Sequence, residues 1–128
     1  MYSPMEFLEV NPNFPVCSAV VYKGKVLESV LTAIPDGQTT PVKGGAAVEM
    51  REIFRQMDEV LALAGLDKSH VCSVRLYLEH VVRDIAEVNE VYREYFGKHS
   101  PSRRAYGVDL QAGMLVEAAI VAEFPEGK

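Results

Sequence analysis

Apolar and polar residues alternate along this chain with two different periods. A period of two marks strands, and apolar residues at three- and four-residue steps mark helices. The C-terminal stretch is the clearest case. Met114, Val116, Ala118, Ile120, Ala122 and Phe124 fall on one face, and Leu115, Glu117, Ala119, Val121 and Glu123 on the other. Residues 71–78 alternate too, which predicts Cys72, Val74, Leu76 and Leu78 on one face and Val71, Ser73, Arg75 and Tyr77 on the opposite one. Residues 15–22 and 26–33 are apolar and β-branched on either side of Lys23-Gly24-Lys25, which predicts a hairpin. A short edge strand over 6–10 precedes a turn at Asn11-Pro12-Asn13.

The helical period appears twice. From 46 to 64, Met50, Ile53, Phe54, Met57, Val60, Leu61 and Ala64 make one apolar stripe, with Glu49, Arg51, Arg55 and Glu59 off it. The methionines read as core, and Gly65 is the expected stop. From 85 to 96, Ile85, Val88, Val91, Tyr92 and Tyr95 or Phe96 point inward. Asp84 is the predicted N-cap, with Glu87 completing a capping box, and Gly97 ends the helix. Tyr92, Tyr95 and Phe96 read as helix core. Pro101 to Val108 and 114–124 then predict a closing β-hairpin, with Arg103 at its mouth and Glu117 inside an otherwise apolar strand.

The predicted order is strand, strand, strand, helix, strand, helix, strand, strand. It describes an α/β sandwich with a mixed sheet and both helices on one face. The second face of the last strand is also apolar until its end, yet no helix remains to cover it. A sheet with one face in water should alternate more cleanly. The spare apolar face therefore predicts self-association, with Glu117 near a subunit boundary.

Composition narrows the classes. The 128 residues argue for a single domain over 1–128. Apolar residues make up 48% and charged residues 24%, an ordinary globular balance. The net charge is -5, with the basic residues scattered, which argues against a nucleic-acid partner. No apolar run approaches the ~20 residues needed to span a bilayer, so no membrane partner is expected. The N-terminus, with Glu6 and Glu9, shows no secretory signal. The two cysteines, Cys17 and Cys72, form no CxxC pair and read as free thiols in a reducing compartment, so a cytoplasmic protein is expected. His70, His80 and His99 have no metal-ligand spacing, and no metal is predicted. No GxGxxG segment marks a dinucleotide site.

Two residues stand out chemically. Desolvating an unpaired carboxylate costs about 3 kcal/mol or more, so Glu117 needs a partner or a task. Arg103 offers a fork suited to a carboxylate. Together they suggest hydrolysis of a small carboxylate-bearing substrate, with Glu117 holding water. The alternative is a salt bridge between the two, within or between subunits.

Three segments carry a resemblance to a known family. They are Val88-Asn89-Glu90-Val91-Tyr92-Arg93-Glu94-Tyr95-Phe96, Pro101-Ser102-Arg103, and Gly113-Met114-Leu115-Val116-Glu117. The stretch from Ala64-Gly65 through Leu78 fits as well. The chain resembles the RidA (YjgF) family of small imine and enamine deaminases, over roughly residues 15 to 124. The resemblance implies a chorismate-mutase-like α+β sandwich, a homotrimer with a central barrel, and active sites in clefts between subunits. It implies hydrolysis of reactive imino acids to 2-keto acids and ammonia, without a cofactor. The alternative is a non-catalytic trimeric module holding a small carboxylate metabolite. Residue by residue, the resemblance makes Arg103 the clamp for the substrate carboxylate and Glu117 the water-orienting group. Asn89, Ser29 and Ala105 fall at further substrate-binding positions. The match is also divergent. Val16 stands where the family has a tyrosine, Val30 or Leu31 where it has a glycine, and Ala105 where it often has cysteine or threonine. The span from Arg103 to Glu117 is one residue short.

Overall fold

The computed structural model describes residues 5–11 and 17–126. The strands are β1 (Met5–Val10), β2 (Cys17–Tyr22), β3 (Val26–Thr32), β4 (Val71–Leu78), β5 (Ser102–Gly107) and β6 (Val116–Glu123). The helices are α1 (Ala46–Leu63) and α2 (Val81–Phe96), with a short 3-10 turn at Lys68–His70. The strands form one six-stranded sheet in the order β1-β2-β3-β6-β4-β5. Among the described residues only the β4–β5 pair is parallel. Asn11 is described, but Pro12 and Asn13 of the predicted turn, and Val16, lie outside the described residues.

The predicted elements recur with few shifts in their bounds. Helix α1 closes as expected at Gly65, whose φ of 74° lies in the left-handed region that glycine enters without a Cβ penalty. Both helices share one core on one face of the sheet. Met50, Ile53, Met57 and Leu61 of α1 and Val88 of α2 meet Leu27, Val74, Leu76, Leu78, Val116, Ala118 and Ile120 from the strands. Phe54 stacks on Tyr95 with centroids 4.0 Å apart, and Phe96 meets it edge-on at 5.7 Å. This aromatic cluster locks the two helices together.

The other face carries no helix among the described residues. Val30 is 62% exposed on it, and Ala119 and Val121 are half-buried.

Four local expectations are corrected. The closing hairpin does not form. β5 pairs with β4, and β6 is inserted between β3 and β4. The segment between β5 and β6 wraps around the end of β4. The Val108 amide donates to the Leu78 carbonyl at 3.1 Å, and the Glu79 amide to the Leu115 carbonyl at 3.1 Å. The Leu110 amide donates to Glu79 Oε1 at 2.6 Å. Sequence-adjacent strands usually pair, but here the crossover through α2 sets β5 beside β4 and leaves β4's other edge for β6.

Cys72 is exposed rather than inward, because β4 carries a bulge. Val71 pairs with Ala122 and Ser73 with Val121, so β4 advances two residues while β6 advances one. The bulge keeps Val71 in the core and turns Cys72 out, with its Sγ 3.4 Å from the Val121 carbonyl.

Asp84 is not the N-cap of α2. The helix starts at Val81 after His80, and Asp84 lies buried in the first turn. Arg83 grips it with two hydrogen bonds at 2.8 and 2.9 Å and holds its carboxyl below the usual range. A carboxylate there also complements the helix dipole.

Glu49, expected off the apolar stripe, is only 2% exposed. Its Oε1 accepts from the Leu115 and Val116 amides at 2.8 and 3.2 Å and so ties the entry of β6 to α1.

Candidate functional site

Residues paired across neighbouring strands share a face of the sheet. Arg103 pairs with Val74, which is fully buried beneath the helices. Arg103 therefore lies on the helix side of β5, at the rim of the sheet beside α2. Asn89 and Tyr92 are three residues apart on α2, hence neighbours on one surface of that helix. They hold the guanidinium from two directions. Arg103 Nη1 donates to Asn89 Oδ1 at 2.7 Å. Its Cζ stands 4.8 Å from the centroid of the Tyr92 ring. The amide fixes one edge of the fork and the guanidinium carbon sits over the ring, an arrangement that reduces what must be ordered when a ligand arrives.

No carboxylate among the described residues lies within ion-pair distance of Arg103. Ala105 lies two residues along the same face, paired with buried Leu76. The Tyr92 hydroxyl is buried with no hydrogen-bond partner among the described residues. Burial pushes its phenol up, while the Arg103 charge pulls the other way.

Glu117 occupies the opposite face. It pairs with Thr32 of β3 and Tyr77 of β4, between Val116 and Ala118, which face the core. It is half-buried, and desolvation raises its carboxyl above the ordinary value. It has no hydrogen bond or ion pair among the described residues. A salt bridge between Arg103 and Glu117 within one chain is thus ruled out by the sheet itself.

Ser29 is placed differently again. It is 5% exposed, on the helix side of β3, where its hydroxyl donates to the Ser18 carbonyl at 2.6 Å. Strands β6 and β4 separate it from β5. The structure therefore brings Asn89, Tyr92 and Ala105 to Arg103, and leaves Ser29 and Glu117 apart from it. Tyr92 was legible only as a core residue. Its three-residue spacing from Asn89 is the signal that it can also face the arginine.

No group of three or more His, Cys, Asp or Glu side chains among the described residues is placed to hold a metal ion. No helix among them is long and apolar enough to cross a membrane.

Comparison with known proteins agrees with this architecture. The family model described as Endoribonuclease L-PSP matches residues 18–124. A human 2-iminobutanoate/2-iminopropanoate deaminase is 37% identical over 82 residues, covering 63% of this chain and 59% of the human protein. A RutC family protein of Pyrococcus horikoshii is 35% identical over 82 residues, covering 63% of this chain and 64% of its own length. The chain thus spans less than two-thirds of these relatives. Among solved structures, a Rid family protein from Yersinia pestis superposes with a TM-score of 0.84 at 21% identity, covering 94% of this chain and 99% of that one. A YjgF family member from Neisseria meningitidis gives 0.78 at 25% identity, covering 96% and 97%. With the family model spanning most of the chain and these neighbours sharing its whole fold, the protein belongs to the Endoribonuclease L-PSP family, the YjgF/RidA proteins.

Proposed function

We propose that this protein hydrolyses 2-imino acids to 2-keto acids and ammonia, as a single domain that works at clefts between copies of itself. One observation carries the proposal: the Arg103 guanidinium is oriented by Asn89 and Tyr92 and has no carboxylate partner among the described residues. An arginine prepared in this way suits a substrate carboxylate, held by two parallel charge-assisted bonds.

The imino carbon next to that carboxylate then needs a water molecule. Glu117 is suited to supply it, because desolvation moves its basicity toward neutral pH. Glu117 accepts a proton as water oxygen bonds to the imino carbon. The nitrogen is protonated, the C–N bond of the tetrahedral adduct breaks, and ammonia leaves as the 2-keto acid forms. Arg103 and Glu117 face opposite sides of one sheet, so they can serve one substrate only across two copies. The uncovered face bearing Val30, Ala119 and Val121 supports such an assembly, and a homotrimer is the form we infer. The human relative's name, 2-iminobutanoate/2-iminopropanoate deaminase, supports the same reaction class.

The test is ammonia release from freshly generated 2-iminopropanoate and longer imino acids. Acceleration over spontaneous hydrolysis is expected, and an unchanged rate across the panel would sink the proposal. Thermal stabilisation by 2-keto acids without turnover would instead identify a non-catalytic module that holds a small carboxylate.

A further inference from the structure

Strand β5 ends on Gly107, and nothing in its backbone calls for glycine there. Its φ is not positive, so the turn chemistry that usually selects glycine does not apply. Glycine inside a strand weakens it and marks a place where another part of the chain comes close. Here that part is α2. Gly107 pairs with Leu78, which is fully buried beneath the helices. A Cβ added at Gly107 would stand 2.7 Å from Val81 Cγ1 and 3.5 Å from Val81 Cβ. Carbon atoms in contact settle at about 3.5–4.0 Å, so the nearer gap is short by about 1 Å.

The contact is one end of a ladder. Val81, Ile85 and Asn89 follow at four-residue steps on one stripe of α2. Gly107, Ala105 and Arg103 follow at two-residue steps on the helix side of β5. Four helical residues advance about 6.0 Å and two strand residues about 6.6 Å, so the two series keep step. At the far end of the ladder, Arg103 Nη1 donates to Asn89 Oδ1 at 2.7 Å. The β5 series grows from no side chain, through a methyl group, to a guanidinium. The space between α2 and β5 is thus a wedge, narrow at Gly107 and open at Arg103. We propose that Gly107 is a positioning residue for the Arg103 clamp: its missing side chain sets the gap between α2 and β5, and so the place of Asn89 and Tyr92 on the guanidinium. The inference rests on the reading of Arg103 as a carboxylate clamp.

The narrow end is held from both sides. Glu79, just ahead of α2, donates its amide to the Leu115 carbonyl at 3.1 Å and accepts from the Leu110 amide at 2.6 Å. The Asp84 amide donates to the His80 carbonyl at 2.9 Å and closes the first turn of α2. Val81 is β-branched and stiff at χ1. A methyl group at position 107 therefore tilts α2 as a body, because packed interiors transmit strain. Asn89 and Tyr92 move with it. A shift of about 1 Å in a substrate-positioning group can cost about a hundredfold in rate.

The test compares the wild type, Gly107→Ala and Gly107→Ala/Val81→Ala in two measurements. One is hydrolysis of 2-iminopropanoate, and the other is the NMR resonance of the Arg103 Nε–Hε group. Gly107→Ala should fold, since alanine costs a strand less backbone entropy than glycine, and thermal melts check this. It should raise KM about tenfold or more, change kcat less, and shift the Arg103 resonance. The double variant regains the lost space and should restore both. The NMR measurement needs no turnover. A wild type without deaminase activity would therefore refute the proposed function, while the resonance still decides the role of Gly107. An Arg103 resonance unchanged in Gly107→Ala, a loss in kcat alone, or a double variant no closer to wild type than the single one would overturn the inference.

Discussion

Arg103 and Glu117 point to opposite sides of one sheet, with β4 lying between their strands. Arg103 shares a face with buried Val74, and Glu117 shares the other face with Tyr77 and Thr32. The most direct consequence is genetic. Arg103→Ala and Glu117→Gln should each lower kcat/KM for imine hydrolysis by about a hundredfold or more. Refolded together in equal amounts, the two inactive chains should regain roughly a quarter of wild-type activity, since that share of the clefts unites an intact arginine with an intact glutamate. Mixed protein as inactive as its parents would show that the two residues do not share a cleft.

Glu117 should also leave a mark on stability. Desolvation raises its carboxyl above the unfolded value. Between those two values the folded state binds more protons than the unfolded one, so stability grows as pH falls through the folded pKa and is reduced above it. Glu117→Gln, which cannot ionise, should be more stable than the wild type at pH 7. The difference should shrink toward about pH 4. Glu49 and Asp84 titrate in both proteins and cancel in the comparison. Urea melts at the two pH values measure it, and a constant difference would contradict the assignment.

Glu49 is expected to matter for folding rather than for chemistry. Glu49→Ala leaves the Leu115 and Val116 amides without their acceptor and should cost roughly 2–4 kcal/mol. Glu49→Gln retains an acceptor oxygen and should cost less. Denaturant midpoints of the two variants, compared at unchanged slope, decide the matter.

Tyr92 gives the opposite expectation. Its ring supports Arg103, but its hydroxyl is buried and has no hydrogen-bond partner among the described residues. Tyr92→Phe keeps the ring and should be neutral or stabilising by up to about 1 kcal/mol. A destabilised variant in thermal melts would mean that the hydroxyl has a bonding role in the folded protein.

Much of the fold could be read from periodicity because burial acts on every second residue of a strand and on every third or fourth of a helix. The bounds of α1 and β4 follow from it almost unchanged. The exceptions share a physical origin. Glu49 looked like a surface acid because its acceptors' partners, the amides of residues 115 and 116, arrive from a distant part of the chain. Cys72 was placed inward because a bulge shifts register without altering composition. Asp84 looked like a cap because its actual partner is the side chain next to it.

The sequence alone determined that two helices and several strands would form and that the second face of the last strand would be largely apolar with no helix left to cover it, and it offered Arg103, Glu117, Ser29, Asn89 and Ala105 as candidates for the site. These follow from local patterns and short motifs. Only the tertiary structure decided strand order. By inserting β6 between β3 and β4 it dissolved the expected hairpin and sent Arg103 and Glu117 to opposite faces. Pairing between distant strands is chosen by how whole faces pack and where a crossover helix can lie, and that information is spread over the chain rather than written at the residues it brings together.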